Sequence, residues 1–132
     1  MKRILLIEDD DTLREILVEA LQDEGFDVWE ADNGLTGFSL AQKIMLDLII
    51  CDVDMPEMNG FKVLDRLRQK PATSAIPFIF ISGNSYLSHD YANNQPNQAN
   101  ACLLKPFSFR ELLVLVKCQL QDPVPEEKLA HM

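Results

Sequence analysis

The sequence predicts an α/β fold, a doubly wound sandwich of five β–α units around one parallel sheet. Three observations carry this reading. Short, continuous apolar runs recur along the chain, as expected of strands buried on both faces. Each run is followed by apolar residues at three- and four-residue spacing, which marks an amphipathic helix. The length of 132 residues, 47% of them apolar, suits one domain with an ordinary core.

The first strand is the apolar run at residues 4–7. Leu13, Ile16, Leu17, Ala20 and Leu21 then recur at helical spacing. Thr12 with Glu15 forms a candidate capping box, and Gly25 a stop. Val28 and Trp29 mark a short second strand, with Trp29 expected to cover a sheet edge. A weaker helix spans residues 34–43. Residues 48–51 form the third strand, ending at Asp52. The loop at 54–60 holds Met55 and Met58, read as loop packing, and a helix with Phe61, Leu64 and Leu67 follows.

The fourth strand, 77–81, ends at Ser82-Gly83. The fourth helix should lie between Leu87 and Asn100, where Asn and Pro are frequent, so it is expected to be short or irregular. Residues 101–104 form the fifth strand. Ser108 and Glu111 make a second capping box, opening a helix whose core face holds Phe109, Leu112, Leu113, Val116 and Leu120. Val114 and Leu115 fall off that stripe, an apolar outer face suited to a homodimer contact. The domain is read as residues 1–121, with 122–132, holding Pro123 and Pro125, as a flexible C-terminal tail and no second domain.

Composition excludes several classes. A net charge of −9 disfavours nucleic acid and anionic membranes, which attract Lys and Arg. Cys51, Cys102 and Cys118 form no short-spaced pair, and His89 and His131 stand apart, so neither a disulfide framework nor a zinc site is expected. The N-terminal apolar run is too short for a signal peptide or a membrane span. Reduced thiols and a cytoplasmic location follow.

In a parallel sheet, ligands bind at the carboxyl ends of the strands. Those ends carry Glu8 and Asp9, then Asp52 with Asp54 two residues on, then Ser82, then Lys105-Pro106. Asp10 and Asp11 read as turn and helix-capping acids. Clustered carboxylates repel one another unless a cation offsets them. Mg²⁺ (or Mn²⁺) suits them, because it binds one or two carboxylates and leaves positions for phosphate oxygens. An adjacent ammonium and hydroxyl make the set fit for attack by Asp52 on a phosphoryl group.

The motifs at residues 4–10, 47–52, 55–60, 82–83 and 104–107 together resemble the receiver domain of two-component response regulators. The resemblance spans about residues 3–121. It implies a flavodoxin-like, CheY-like sheet in the order 2-1-3-4-5. By resemblance, Asp52 is the phosphoacceptor, Glu8 and Asp9 serve Mg²⁺, and Asp54 lends its backbone carbonyl. Ser82 is the switch hydroxyl, Lys105 contacts the phosphoryl group, and Lys105–Pro106 is commonly cis in the family. The implied partners are a histidine kinase or histidine phosphotransfer protein and an unknown downstream protein. Such a domain is a phosphoacceptor rather than an enzyme with turnover, and no output domain is expected to follow it.

Two departures from the family pattern stand out. Cys102 occupies the place of the usual switch aromatic, with Tyr86 or Tyr91 as conceivable substitutes, and Asn-rich sequence replaces the fourth helix. They keep a phosphorylation-independent interaction module as an alternative. Asp52-Val53-Asp54 also resembles the nucleophile motif of haloacid-dehalogenase phosphatases. That family, however, places its nucleophile strand first and its acidic pair late. A flavodoxin-like nucleotide binder is disfavoured by the acidic first turn, which would repel phosphate. Residues 1–33 hold eleven acids against three bases, so eight of the nine excess negative charges fall there. The first helix of receivers helps to dock the kinase, so this excess is expected to select a basic partner face.

Overall fold

A computed structural model describes residues 1–83 and 100–121. The expected fourth helix, the tail, Tyr86, His89 and Tyr91 lie outside the described residues. The elements follow in the order β1 (Arg3–Ile7), α1 (Asp11–Asp23), β2 (Asp27–Ala31), α2 (Gly34–Lys43), β3 (Leu48–Asp52), α3 (Gly60–Arg68), β4 (Phe78–Ser82), β5 (Ala101–Leu104) and α4 (Phe109–Leu120). All five strands are parallel, in the order β2-β1-β3-β4-β5. This is the fold class and strand order the sequence implies. Among the described residues, no helix is long and apolar enough to cross a membrane.

Alternation along the strands divides the core in two. Leu5, Ile7, Ile49, Cys51, Phe78 and Phe80 face α2 and α3. Ile4, Leu6, Leu48, Ile50, Ile79 and Ile81 face α1 and α4. β3 and β4 are buried along their whole length, which explains their unbroken apolar sequences. Each such Ile, Leu or Phe stabilises the fold by about 1.5–3 kcal/mol. β2 is an edge strand, and Trp29 on it remains 41% exposed.

Polar side chains start every described helix. Asn33, Asn59 and Ser108 accept from the amides of Thr36, Lys62 and Glu111, and Ser108 with Glu111 completes the expected capping box. The Thr12–Glu15 box does not form. Asp10 caps α1 instead, its Oδ1 accepting from the Leu13 amide at 3.1 Å, which leaves Thr12 inside the first turn. Gly25 ends the α1 segment at φ +93°, a conformation natural to glycine.

Two buried stripes differ from the periodicity reading. On α1 the core side is Leu17, Val18 and Leu21, while Ile16 is 58% exposed. The true stripe runs through positions 14, 17, 18 and 21, one step round the helix from the one read in the sequence. On α4, Val114 is buried, and Leu115 is half-buried against the core. Val114 and Leu115 therefore do not form the exposed apolar face that the spacing suggests. Spacing assumes a single buried stripe, and α4 buries more of its circumference than that.

Gly60 begins α3 where the helix passes under the end of β3. A Cβ there would lie 2.6 Å from the Asp52 carbonyl oxygen and 3.0 Å from the Val53 Cα. Both neighbours are backbone and cannot turn aside. Gly60→Ala is therefore expected to lower unfolding free energy by about 1–3 kcal/mol in urea titrations.

Candidate functional site

The parallel sheet brings the acidic residues of the first and third strands to one rim. Glu8 directly follows β1, Asp52 closes β3, Ser82 closes β4 and Lys105 follows β5. Glu8, Asp52 and Ser82 are buried, and Asp9 is exposed beside them. One carboxylate oxygen from each of Glu8, Asp9 and Asp52 lies within 4.8 Å of the others. The Lys105 ammonium stands 3.1 Å from Glu8 Oε1 and 3.6 Å from Asp52 Oδ2. The Lys105–Pro106 peptide is cis. The Lys105 amide donates to the Ser82 carbonyl at 2.8 Å, which continues the β4–β5 pairing into the site.

Glu8 Oε2 accepts from the Asp10 amide at 3.1 Å. Glu8 Oε1 has no aligned hydrogen-bond donor, so Lys105 meets it as an ion-pair neighbour only. A buried carboxylate oxygen met only by one ammonium, beside two more carboxylates, fits a hard divalent cation with oxygen ligands. Glu8, Asp9 and Asp52 are the side chains that can hold it.

Asp54 is exposed on the following loop. Its amide points to Asp52 Oδ1 at 3.4 Å, and its carboxylate accepts a long bond of 3.5 Å from Ser82 Oγ. The sequence assigned only its backbone carbonyl, so the side-chain contact with Ser82 is additional. Cys102 is exposed on β5, opposite Phe80 in the register. The other two thiols are also free. Burial pushes the Cys51 thiol well up, and its Sγ donates to the Asp52 carbonyl. Sequence reasoning missed Arg14, which donates to the Glu8 carbonyl at 2.8 Å. Apolar spacing gave no signal for it, because the stripe read there runs through Leu13, Ile16, Leu17, Ala20 and Leu21.

Burial raises the Asp52 pKa from 3.8 to about 7, and the neighbouring Glu8 charge pushes the same way. Lys105 and the Asp54 amide oppose this incompletely. At Lys105, burial lowers the pKa, but Asp52 and Glu8 outweigh it and the net shift is upward. The site therefore carries more negative charge than one ammonium offsets.

The sequence profile of the response regulator receiver domain matches residues 4–117. The chain belongs to that family. Relatives of the receiver domain include a probable transcriptional regulatory protein, SilR of Salmonella typhimurium, 36% identical over 119 residues that cover 90% of this chain and 51% of SilR. The sensor kinase CckA of Brucella abortus is 38% identical over 121 residues, which make up 89% of this chain and 12% of CckA. The chain spans about half the length of the regulators it matches. Among solved structures, the response regulator TrrA of Thermotoga maritima, in complex with Mg²⁺ and BeF, is 32% identical with a TM-score of 0.81. That match covers 90% of this chain and 99% of TrrA. The chemotaxis response regulator CheY4 of Vibrio cholerae is 28% identical with a TM-score of 0.82, covering 90% and 98%.

The raised Asp52 pKa has a sign that can be measured without metal. A carboxyl whose folded pKa exceeds its unfolded value adds stability that is full below about pH 4 and is lost as pH rises through about 7. Metal-free Asp52→Asn is accordingly expected to unfold at higher urea than the parent at pH 8, with the gap closing by pH 5. Mg²⁺ affinity should rise with pH up to about 7 and then level off, because binding displaces the Asp52 proton. Calorimetry across that range checks it.

Proposed function

We propose that Asp52 accepts a phosphoryl group from a phosphohistidine on a histidine kinase or histidine phosphotransfer protein. The observation that carries this is the rim cluster: Glu8, Asp9 and Asp52 within 4.8 Å, with Lys105 against two of them. An Asp52 oxygen attacks phosphorus, the P–N bond breaks, and the imidazole leaves with the electron pair. The product is an acyl phosphate on Asp52. Lys105 offsets the charge on the phosphoryl oxygens, and the Ser82 hydroxyl turns from Asp54 to donate to one of them. Glu8, Asp9 and Asp52, with the Asp54 carbonyl, would hold Mg²⁺, which when bound would supply positive charge to offset that of the phosphoryl oxygens. The resulting change of hydrogen bonds at Ser82 biases a conformational equilibrium that a downstream protein reads. The intact acceptor set speaks against a phosphorylation-independent module.

The donor surface adjoins the site. A groove of about 430 Å³ runs between α1 and the start of α4, lined by Leu13, Ile16, Leu17, Pro106, Phe107 and Phe109. The Lys105 ammonium stands 3.6 Å from Asp52, and Lys105 and Asp10 also line the groove. Exposed acids Asp11, Glu15 and Glu19 stand on α1 beside it. An apolar helix face flanked by Lys or Arg complements such a surface, with the charges speeding encounter.

Incubation with acetyl phosphate and Mg²⁺ should add one phosphoryl group by intact mass, and Asp52→Ala should add none. Steady hydrolysis of a phosphate ester without a mass gain would overturn the reading. Ile16→Glu should slow transfer from a phosphohistidine protein about tenfold or more, while labelling by acetyl phosphate stays within twofold of the parent. Equal losses with both donors would remove the groove from donor docking.

A further inference from the structure

We propose that Arg14 is the positioning residue of the metal site: its guanidinium holds the turn between β1 and α1 in the form that lets Glu8 and Asp9 bind Mg²⁺. This rests on the Mg²⁺ reading above. The guanidinium side chain is only 13% exposed, and each nitrogen serves a different segment. Nη1 donates to the Glu8 carbonyl at 2.8 Å, at the end of β1. Nη2 donates to Asp11 Oδ1 at 2.7 Å, in the first turn of α1. Nε donates to Glu30 Oε1 at 3.1 Å, on β2.

Glu8 is itself the first anchor point and Asp9 lies between it and the second, and Glu30 ties both to the sheet edge. The ladder itself holds this turn only from one side, through the Glu8 amide on the Ala31 carbonyl at 3.0 Å. Beyond that bond the chain leaves the sheet, and its next inward hydrogen bond is the Asp10 amide on Glu8 Oε2. Rotating the Glu8 peptide would swing its carboxylate and that of Asp9 apart. The Arg14 bond to the Glu8 carbonyl opposes that rotation.

Geometry and charge make opposite predictions here. As a bare cation, Arg14 repels Mg²⁺, so its loss should tighten binding. As a three-way fork, its loss should weaken binding, because outer partners of metal ligands typically contribute about 10- to 100-fold in affinity. Lysine keeps the charge but has no planar fork to reach three directions.

The test is Mg²⁺ titration calorimetry on the full chain, with amide hydrogen exchange across residues 8–11 in metal-free protein. Arg14→Ala and Arg14→Lys should each raise the Mg²⁺ Kd about tenfold and speed exchange at Asp9 and Asp10. Glu30→Gln, which spares two of the three anchors, should raise it about two- to threefold. A parent protein that binds no Mg²⁺ overturns the metal reading and this proposal together. With a binding parent, an unchanged or tighter Kd in folded Arg14→Ala, or parental affinity in Arg14→Lys, overturns the proposal alone. If Arg14→Ala does not fold, Arg14→Lys and Glu30→Gln decide.

Discussion

Two buried carboxylates share one ammonium. Glu8 and Asp52 are taken out of water at the ends of adjacent strands, and Lys105 reaches both from the far side of the sheet. Desolvation alone would drive such acids toward the neutral form. Lys105 recovers part of that cost, and the Asp54 and Asp10 amides recover more. The remaining imbalance is what makes the rim receptive to a divalent cation and then to a phosphoryl group. A fully neutralised cluster would be more stable and less useful, because nothing would be left for the ligand to satisfy.

The sheet supplies the convergence. Parallel pairing sets the ends of β1, β3, β4 and β5 side by side, so residues from widely separated parts of the sequence meet without long loops. The close approach of α3 at Gly60 and the Lys105 amide bond to Ser82 fix the two loops nearest Asp52. Strand ends carry Asp52 and Ser82, while the β1–α1 turn carries the exposed Asp9. At that turn Arg14 joins the end of β1, the first turn of α1 and β2 through three hydrogen bonds.

The acidity of the first quarter of the chain acquires a second meaning from this arrangement. Glu8 and Asp9 belong to the cluster, and Asp10, Asp11 and Glu30 cap or brace the turn beside it. The acids further along α1 face solvent next to the apolar groove. One stretch of sequence thus supplies part of the acidic cluster, the groups that brace the turn and the exposed acids beside the groove, which a net charge cannot separate.

The strand runs, the parallel order and the identities of Glu8, Asp9, Asp52, Ser82 and Lys105 were legible in the sequence. Buried parallel strands need unbroken apolar residues, and polar residues at their ends are conspicuous against them. The capping role of Asp10 was legible too, but the exposure of Ile16 and the burial of Val114 were not. Those depend on how each helix is rotated against its neighbours, and apolar spacing constrains that rotation only to within about one residue. Arg14 was invisible for a related reason: its role requires Glu30 of β2 and the Glu8 carbonyl, sixteen and six residues away, to meet one guanidinium. The sequence by itself determined which chemical groups the rim would hold, because period and residue type are local properties. Only the tertiary structure decided which of them touch, which remain unsatisfied and what braces them, because those depend on distances between segments.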